Sequence, residues 1–406
     1  MKLKRLDIQY FILGMLAILP YIWPYYINVV ASGFSNMLKL TFEVFSYLMT
    51  VILVYFCRRD LLDLLKRSKP FIILNLCFLA VLLVSTAVQQ PSVLNELIDM
   101  YKLLFLALLL GCSLVNKSFY LFKGIALVFN VIIVISFIES FVHFPGLSGA
   151  NHFAATKNVY MRYIYLGIIM DAYMDFKEKG DISLATIALL GAVSVTVLRY
   201  DSIAGFLTTF VVFVLLLVRR FLLRNNMPLA KSRLFLYISV GLGAFVVFLR
   251  QFAFYEDLLS SFGKDLTFTG RTIIWDQALE RIAQNPVFGG GHISPYGYET
   301  LGNETWSSAS SHNFYLDVLL ETGIVGIAIV LLILLKLTHD IDRCDNRSMS
   351  QCFAILFFCF LLCYDFDVFL NSKQYMYNYS VLFFLSFCFA GYHNKKRRIR
   401  FVWGRK

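Results

Sequence analysis

The stretch from Gly270 to Gly326 reads GRTIIWDQALERIAQNPVFGGGHISPYGYETLGNETWSSASSHNFYLDVLLETGIVG. It is the one long region of the chain that is too polar to lie inside a lipid bilayer. Its first part carries apolar residues at helical spacing, namely Ile273, Ile274, Ala278, Leu279 and Ile282. This spacing predicts an amphipathic helix that starts near Thr272. Asn285-Pro286 is expected to end the helix, because the residue before a proline is pushed out of the α region.

The second part of the stretch combines flexible backbone, aromatic rings and one histidine. Gly289-Gly290-Gly291 is followed by aromatic residues that include Tyr296 and Trp306, and then by a Ser-rich turn. Ser311-His312-Asn313 stands directly before a new apolar segment. The sequence therefore predicts that these groups gather at one edge of a membrane.

Composition indicates what surrounds this stretch. The chain has 406 residues, of which 59% are hydrophobic and 16% charged, and its mean hydropathy is +0.68. These values are typical of an all-α polytopic membrane protein. The net charge of +11 does not indicate nucleic-acid binding, because the basic residues lie in short loops between apolar segments.

About 12 transmembrane helices are predicted. The apolar segments lie near residues 8–29, 36–57, 70–88, 97–115, 118–140, 157–175, 182–198, 202–223, 232–250, 314–337, 350–370 and 374–391. Each is long enough, some only just, to cross ~30 Å of hydrocarbon at about 1.5 Å per residue.

Basic residues predict the orientation of these spans. If the N-terminus is cytoplasmic, most of the 37 Lys and Arg residues fall on the cytoplasmic side, as the positive-inside rule requires. Both termini are then cytoplasmic. The expected organisation is nine spans within 1–250, a large periplasmic loop over 251–313, and three spans with a basic cytoplasmic tail over 314–406.

Several classes of protein lack their minimal motif in this chain. There is no Gly-Lys-Ser/Thr phosphate loop, no His-Glu-x-x-His and no Gly-x-Ser-x-Gly. A nucleotide-driven pump, a zinc protease and a serine hydrolase are therefore not indicated.

Two arginines are candidates for a functional site. Arg199 lies at the outward end of a span, where an ionisable group is a functional candidate, although pairing with Asp201 would also explain it. Arg271 opens the amphipathic helix, so its planar fork stands beside helix N-terminal N–H groups, both of which favour phosphate. A solvated loop arginine is the alternative for Arg271.

His312 is the candidate for proton transfer. It ends the polar loop where the next span begins, and an imidazole exchanges a proton near neutral pH. Residue type alone also permits a packed or interfacial histidine.

The loop resembles a known family. Gly270-Arg271, Trp275, Asn285-Pro286, Gly289, Gly291, His312-Asn313, Tyr315-Leu316, Glu321, Gly323 and Gly326 together resemble the O-antigen ligase and polymerase family of bacterial envelope glycosyltransferases. A weaker likeness covers Val197-Leu198-Arg199, where the family often has Ser or Thr in place of Leu198. The first 190 residues match in hydropathy alone.

The resemblance implies an activity and its site. Members are polytopic enzymes of the inner membrane that need no metal or other cofactor and take a glycan from undecaprenyl diphosphate on its outer face. It implies diphosphate-binding roles for Arg199 and Arg271 and an acceptor-activating role for His312. Beside it, Glu321 or Asp317 on the following helix can orient His312 or serve as the base instead.

Aromatic residues and partners complete the prediction. Trp275, Tyr296 and Trp306 can offer ring faces to a glycan, although interfacial aromatic residues are also common membrane anchors. The implied partners are the undecaprenyl-diphosphate-linked glycan, a glycan acceptor and membrane lipid, with a chain-length regulator or flippase as a further protein partner.

Three functions remain open at this stage. The favoured function is polymerisation of lipid-linked repeat units into O-antigen or capsule, and ligation of the glycan to lipid A core is close behind it. The third, from another class, is transport of a lipid-linked oligosaccharide. A transporter is expected to show internal repeats and charges near the midplane, whereas the charges of interest here lie at the outer rim.

Overall fold

The computed structural model describes residues 5–91, 100–116, 119–142, 144–147, 151–156, 159–224, 231–249, 271–292, 301–302, 307–308, 310–365 and 375–390. Within these ranges the chain is almost entirely helical. The helices are α1 Arg5–Ile18, α2 Tyr25–Val30, α3 Ser32–Arg67, α4 Lys69–Gln89, α5 Tyr101–Val115, α6 Tyr120–Glu139, α7 Tyr160–Glu178, α8 Leu184–Arg199, α9 Ile203–Arg224, α10 Ser232–Leu249, α11 Arg271–Gln284, α12 Phe314–Asp342, α13 Arg347–Asp365 and α14 Tyr375–Ala390.

The helices confirm an all-α polytopic membrane protein. In the part of the chain that the structure describes, six helices are long and apolar enough to cross a membrane. Five shorter helices are also apolar. Large apolar side chains remain exposed on the outside of the bundle, for example Phe56 at 74% and Val88 at 71%, as expected of a surface that faces lipid. The total of 12 spans stays a prediction.

Two predicted spans differ in detail from the helices observed. The first apolar segment is broken: α1 ends at Ile18, a 3-10 turn covers Leu19–Ile22, and α2 follows after Pro24. Proline explains the break because it lacks the N–H that continues a helix. The second segment is longer than predicted, since α3 runs on to Arg67 and buries Leu61 and Leu64.

The predicted amphipathic helix is confirmed within the described residues. Helix α11 begins at Arg271 and ends at Gln284, directly before Asn285-Pro286. It buries Ile274, Trp275 and Ala278. A small antiparallel pairing of Leu301–Gly302 with Ser307–Ser308 follows in the same loop, a feature that an all-α reading does not anticipate.

Helix α12 organises the bundle around the candidate site. It packs against α4, α10 and α13, and α11 lies on its first turns. Its course is broken at Gly323, where φ is 63° and ψ is −163°. The first three turns of α12, from Phe314 to the break, therefore form a separate short helix that the polar loop holds in place.

Candidate functional site

Asn313 joins the start of α12 to two neighbouring helices. Its Oδ1 accepts a hydrogen bond from the Leu316 N–H at 3.1 Å and so caps α12. Its Nδ2 donates to the carbonyl of Gly243 in α10 at 3.1 Å and to that of Asp365 at the end of α13 at 3.3 Å. Asparagine is a favoured N-cap residue because its side chain satisfies a free N–H of the first turn. The start of α12 is thus fixed to two neighbouring helices.

The turn that carries His312 is held by the carboxylate of Asp317. Asp317 Oδ1 accepts from the Ser311 N–H at 2.6 Å, and Oδ2 accepts from the Ser310 hydroxyl at 2.7 Å. The His312 N–H in turn donates to Ser310 Oγ at 3.0 Å. Asp317 is buried and both of its oxygens are engaged, so this carboxylate supports the turn and is poorly placed to serve as a base.

His312 adopts an uncommon backbone conformation. Among the described residues, the non-glycine residues with positive φ are His312, at 54°, and Asp201, at 57°. Left-handed residues of this kind are few, and they cluster at active sites and ligand clamps. Both lie within two residues of a group that the sequence analysis singled out.

Trp275 connects the helix of Arg271 to the His312 turn. Its indole Nε1–H donates to the carbonyl of Ser311 at 2.8 Å. Arg271 and Trp275 are four residues apart on α11 and therefore share one helix face. The structure thus brings the N-terminal turn of α11, which carries Arg271, to the segment that carries His312.

The ring of Trp275 is inside the protein. The residue is 1% exposed and packs in a small apolar cluster with Ile274, Ala278, Leu316 and Leu320. In this structure it does not present a ring face to a glycan, as the sequence analysis expected, because α11 must bury its apolar side on α12. Trp275 thus holds α11 against the segment of Ser311.

Backbone hydrogen bonds connect the glycine run and Pro286 to both sides of the break in α12. The N–H groups of Gly290 and Gly291 donate to the carbonyls of Leu320 and Glu321 at 2.8 and 3.1 Å. On the far side of the break, the Ile324 N–H donates to the Pro286 carbonyl at 2.9 Å. Backbone groups that the broken helix leaves without internal partners are therefore bonded to the loop, as buried polar groups require.

Glu321 pairs with a histidine that the sequence analysis did not single out. Its Oε1 lies 3.0 Å from His292 Nδ1, and both residues are buried. The His292 N–H donates to Thr86 Oγ1 in α4 at 2.9 Å. No short motif joins residues 29 positions apart, so a lone histidine after the glycine run was the only available signal.

Arg199 lies at the same end of the bundle as the His312 turn, but it contacts the residues that follow α6. Its Nε–H donates to the Ser140 carbonyl at 3.2 Å, and its guanidinium lies 5.3 Å from the ring centroid of Phe141. The next helix, α9, contacts the end of α13 through Thr208 Oγ1 and Cys363 Sγ at 3.3 Å. Because α13 ends two residues later at Asp365, which bonds Asn313, Arg199 and the His312 turn face the same side.

A polar cluster follows Arg199. The Tyr200 hydroxyl donates to Glu139 Oε2 and to the Ser136 carbonyl, while the His152 ring stacks on Tyr200 with 3.4 Å between centroids. Burial, with the hydrogen bond to Glu139, raises the pKa of the Tyr200 phenol above its ordinary value. The phenol therefore stays protonated and donates, which fixes the turn that presents Arg199.

Two further charged residues were missed by the sequence analysis. Arg162 is 4% exposed on the first turn of α7, two residues after Tyr160. Asp365 is 1% exposed and accepts from the Ser239 hydroxyl at 2.9 Å. In each case the available signal was an ionisable residue within an apolar segment, which is a functional candidate by default.

Two of the predicted site residues, Tyr296 and Trp306, lie outside the described residues. Among the residues that are described, no group of three or more His, Cys, Asp or Glu side chains is arranged to hold a metal ion.

Comparisons with known proteins cover the region that contains these residues. Residues 184–331, which include Arg199, α11 and the His312 turn, match the O-antigen ligase family. The exopolysaccharide production protein ExoQ of Rhizobium meliloti (strain 1021) is 28% identical over 219 residues. That alignment covers 50% of this chain and 50% of ExoQ, so the chain spans about half the length of the curated relative that it matches.

The fold and the matched region define the class of the protein. It is a multi-pass α-helical membrane protein in which residues 184–331 are similar to the O-antigen ligase family. The two matches confirm the resemblance to the O-antigen ligase and polymerase family that is seen in the sequence.

Proposed function

We propose that the chain is a glycosyltransferase that polymerises undecaprenyl-diphosphate-linked oligosaccharide repeat units into a surface polysaccharide. The observation that carries the proposal is the bond from Trp275 to Ser311, which joins the helix of Arg271 to the turn of His312. A group that suits a diphosphate and a group that suits proton transfer are thereby held on neighbouring segments. Both lie within the region that matches the O-antigen ligase family.

The arginines bind the donor. Arg271 stands at the N-terminus of α11, where the free N–H groups and the helix dipole also favour an anion. A guanidinium engages phosphate oxygens through two parallel hydrogen bonds. As the bond between the anomeric carbon and the phosphate oxygen breaks, the electron pair stays on the diphosphate. The arginines stabilise that developing charge.

His312 activates the acceptor. A hydroxyl of the acceptor sugar attacks the anomeric carbon of the donor, and its proton passes to the imidazole of His312. The new glycosidic bond replaces the bond to the carrier, so no oxidant or nucleotide is consumed. Asp317 keeps the turn of His312 in place through Ser310 and Ser311.

The site faces the periplasm of a bacterial inner membrane in this proposal, and both termini are cytoplasmic. The support is the excess of Lys and Arg in loops at the opposite end of the bundle. The name of ExoQ, an exopolysaccharide production protein, favours synthesis of a polymer. The description of the matched family, O-antigen ligase, makes transfer to lipid A core the second candidate.

An acceptor assay separates the two candidates. Purified full-length protein in liposomes, given the lipid-diphosphate-linked repeat unit alone, is expected to yield a ladder of longer glycans on gels. Release of free lipid diphosphate should match the number of bonds formed. A reaction that begins only when lipid A core is added would identify a ligase. No transfer to either acceptor, with movement of the intact donor across the bilayer, would indicate a transporter.

Arg271→Lys tests the diphosphate ligand. The change keeps the positive charge but loses the planar fork, so kcat/KM for the donor is expected to fall about tenfold to a hundredfold, the effect of losing one charged hydrogen bond. The matched control is Arg281→Lys, in the last turn of the same helix, which should keep wild-type activity. Equal activity of both variants would remove Arg271 from the donor site.

A further inference from the structure

A second feature lies at the opposite end of α12 from the His312 turn. A surface groove of about 450 Å³ is lined by Leu74, Arg233, Leu332, Leu335, Lys336 and His339. Leu74 belongs to α4, Arg233 to the first turn of α10, and the other four to α12. The groove therefore runs between α4 and α10 across one face of α12.

The lining changes from apolar to basic along the helix axis. Residues 332, 335, 336 and 339 are spaced by three or four positions and so share one face of α12. Leu332, which is 52% exposed, and Leu335 form the apolar part of the groove together with Leu74. Lys336 and His339 lie nearer the end of α12 at Asp342, with Arg233 opposite them. Over about 10 Å, at 1.5 Å per residue, the wall changes from hydrocarbon to cation.

Charge at the basic end is mostly unbalanced. The Arg233 guanidinium contacts His339 Nδ1, so the imidazole serves as an acceptor and does not offset the charge. Lys336 pairs with Asp340, whose side chain is 8% exposed while that of Lys336 is 29% exposed. Arg343 follows at the end of the helix. The carboxylates at this end are those of Asp340 and Asp342, the latter bonded to the N–H and hydroxyl of Ser232. Arg233, Lys336 and Arg343 outnumber them, and a net positive charge remains.

We propose that this groove binds one anionic phospholipid of the surrounding leaflet, with an acyl chain along the leucines and the phosphate between Arg233 and Lys336. Its occupant is recognised by chemistry: a hydrocarbon tail fits the apolar wall, and a phosphodiester head complements the cations. Basic pockets between transmembrane helices bind anionic headgroups in this way. The proposal is independent of the glycosyltransferase function, because it uses none of the residues of that site.

Lipid binding is tested on the purified full-length protein in a zwitterionic detergent by native mass spectrometry. Dioleoyl-phosphatidylglycerol is expected to bind as a single molecule, at least about tenfold more tightly than dioleoyl-phosphatidylcholine. The double variant Arg233→Gln/Lys336→Gln should lose about tenfold or more of the affinity for phosphatidylglycerol, because both cations that attract the anionic headgroup are removed. The matched control is Arg59→Gln, an exposed arginine of α3 outside the groove, which should bind as wild type does.

A second variant guards against misfolding. Leu332→Trp fills the groove from an exposed position and leaves the charges unchanged, so it should block phosphatidylglycerol with normal helical content by circular dichroism. Equal binding of the two lipids by wild type, or unchanged binding by both variants, would overturn the proposal. Displacement of the lipid by inorganic phosphate at equal concentration would also overturn it, because it would mean a site for free anions.

Discussion

His312→Ala is expected to lower kcat by about 10²-fold or more, the range that general base catalysis contributes. The variant should still bind the lipid-diphosphate donor, because the arginines hold the diphosphate. Turnover at saturating donor and donor affinity are measured separately, the latter by direct binding.

The backbone at His312 requires a matched control. With φ at 54°, the position suits histidine and asparagine better than alanine, so the alanine variant would combine a loss of chemistry with a loss of stability. His312→Asn avoids this, because asparagine tolerates the left-handed region but supplies no base. It should be as inactive as the alanine variant and closer to wild type in thermal stability.

Two other outcomes would reassign His312. An asparagine variant with near wild-type turnover would make it a positioning residue and move the search for a base to Glu321. That glutamate would then have to leave its pairing with the buried His292. Loss of donor affinity in the alanine variant, with kcat unchanged, would instead make His312 a donor ligand.

Local sequence signals predicted the parts of the structure that local physics decides. The end of α11 at Gln284 follows from the proline two residues later, and its buried face follows from the apolar spacing. Asn313 caps α12, a role that its place before an apolar segment could have indicated but that the sequence analysis did not assign. These features depend on residues within a few positions of each other, so one sequence is enough to predict them.

Tertiary partners decide what the sequence could not predict. The break at Gly323 is stable because Pro286 and the glycine run, more than 30 positions earlier, bond its backbone groups. The contact of His292 with Glu321 depends on the same docking. Tryptophan is a residue type that commonly packs its ring against sugars. The burial of Trp275 follows only from the packing of α11 on α12, which the sequence alone does not give.

Gly289→Ala is expected to lower the stability of the protein strongly. Gly289 has φ at 73°, and a Cβ built there would lie 2.4 Å from the Glu321 carbonyl carbon and from the Thr322 nitrogen. Both contacts are with backbone at the break in α12, so no side-chain rotation relieves them. Left-handed alanine alone costs about 1 kcal/mol, and separating two bonded backbones should bring the loss to about 3 kcal/mol or more.

The neighbouring glycine gives the matched control. At Gly290 no positive φ is found, and a Cβ would meet only the Leu320 carbonyl oxygen at an ordinary 3.7 Å. Gly290→Ala should therefore stay within about 0.5 kcal/mol of wild type. Thermal unfolding in detergent compares the two variants. Equal unfolding temperatures of the two variants would contradict a role of these backbone contacts in stability. A lower unfolding temperature in Gly289→Ala alone would show that the glycine run is needed for backbone contact with α12. Glycosyl transfer should fall with the folded fraction in that variant, because the loop and α12 together hold the segments of Arg271 and His312.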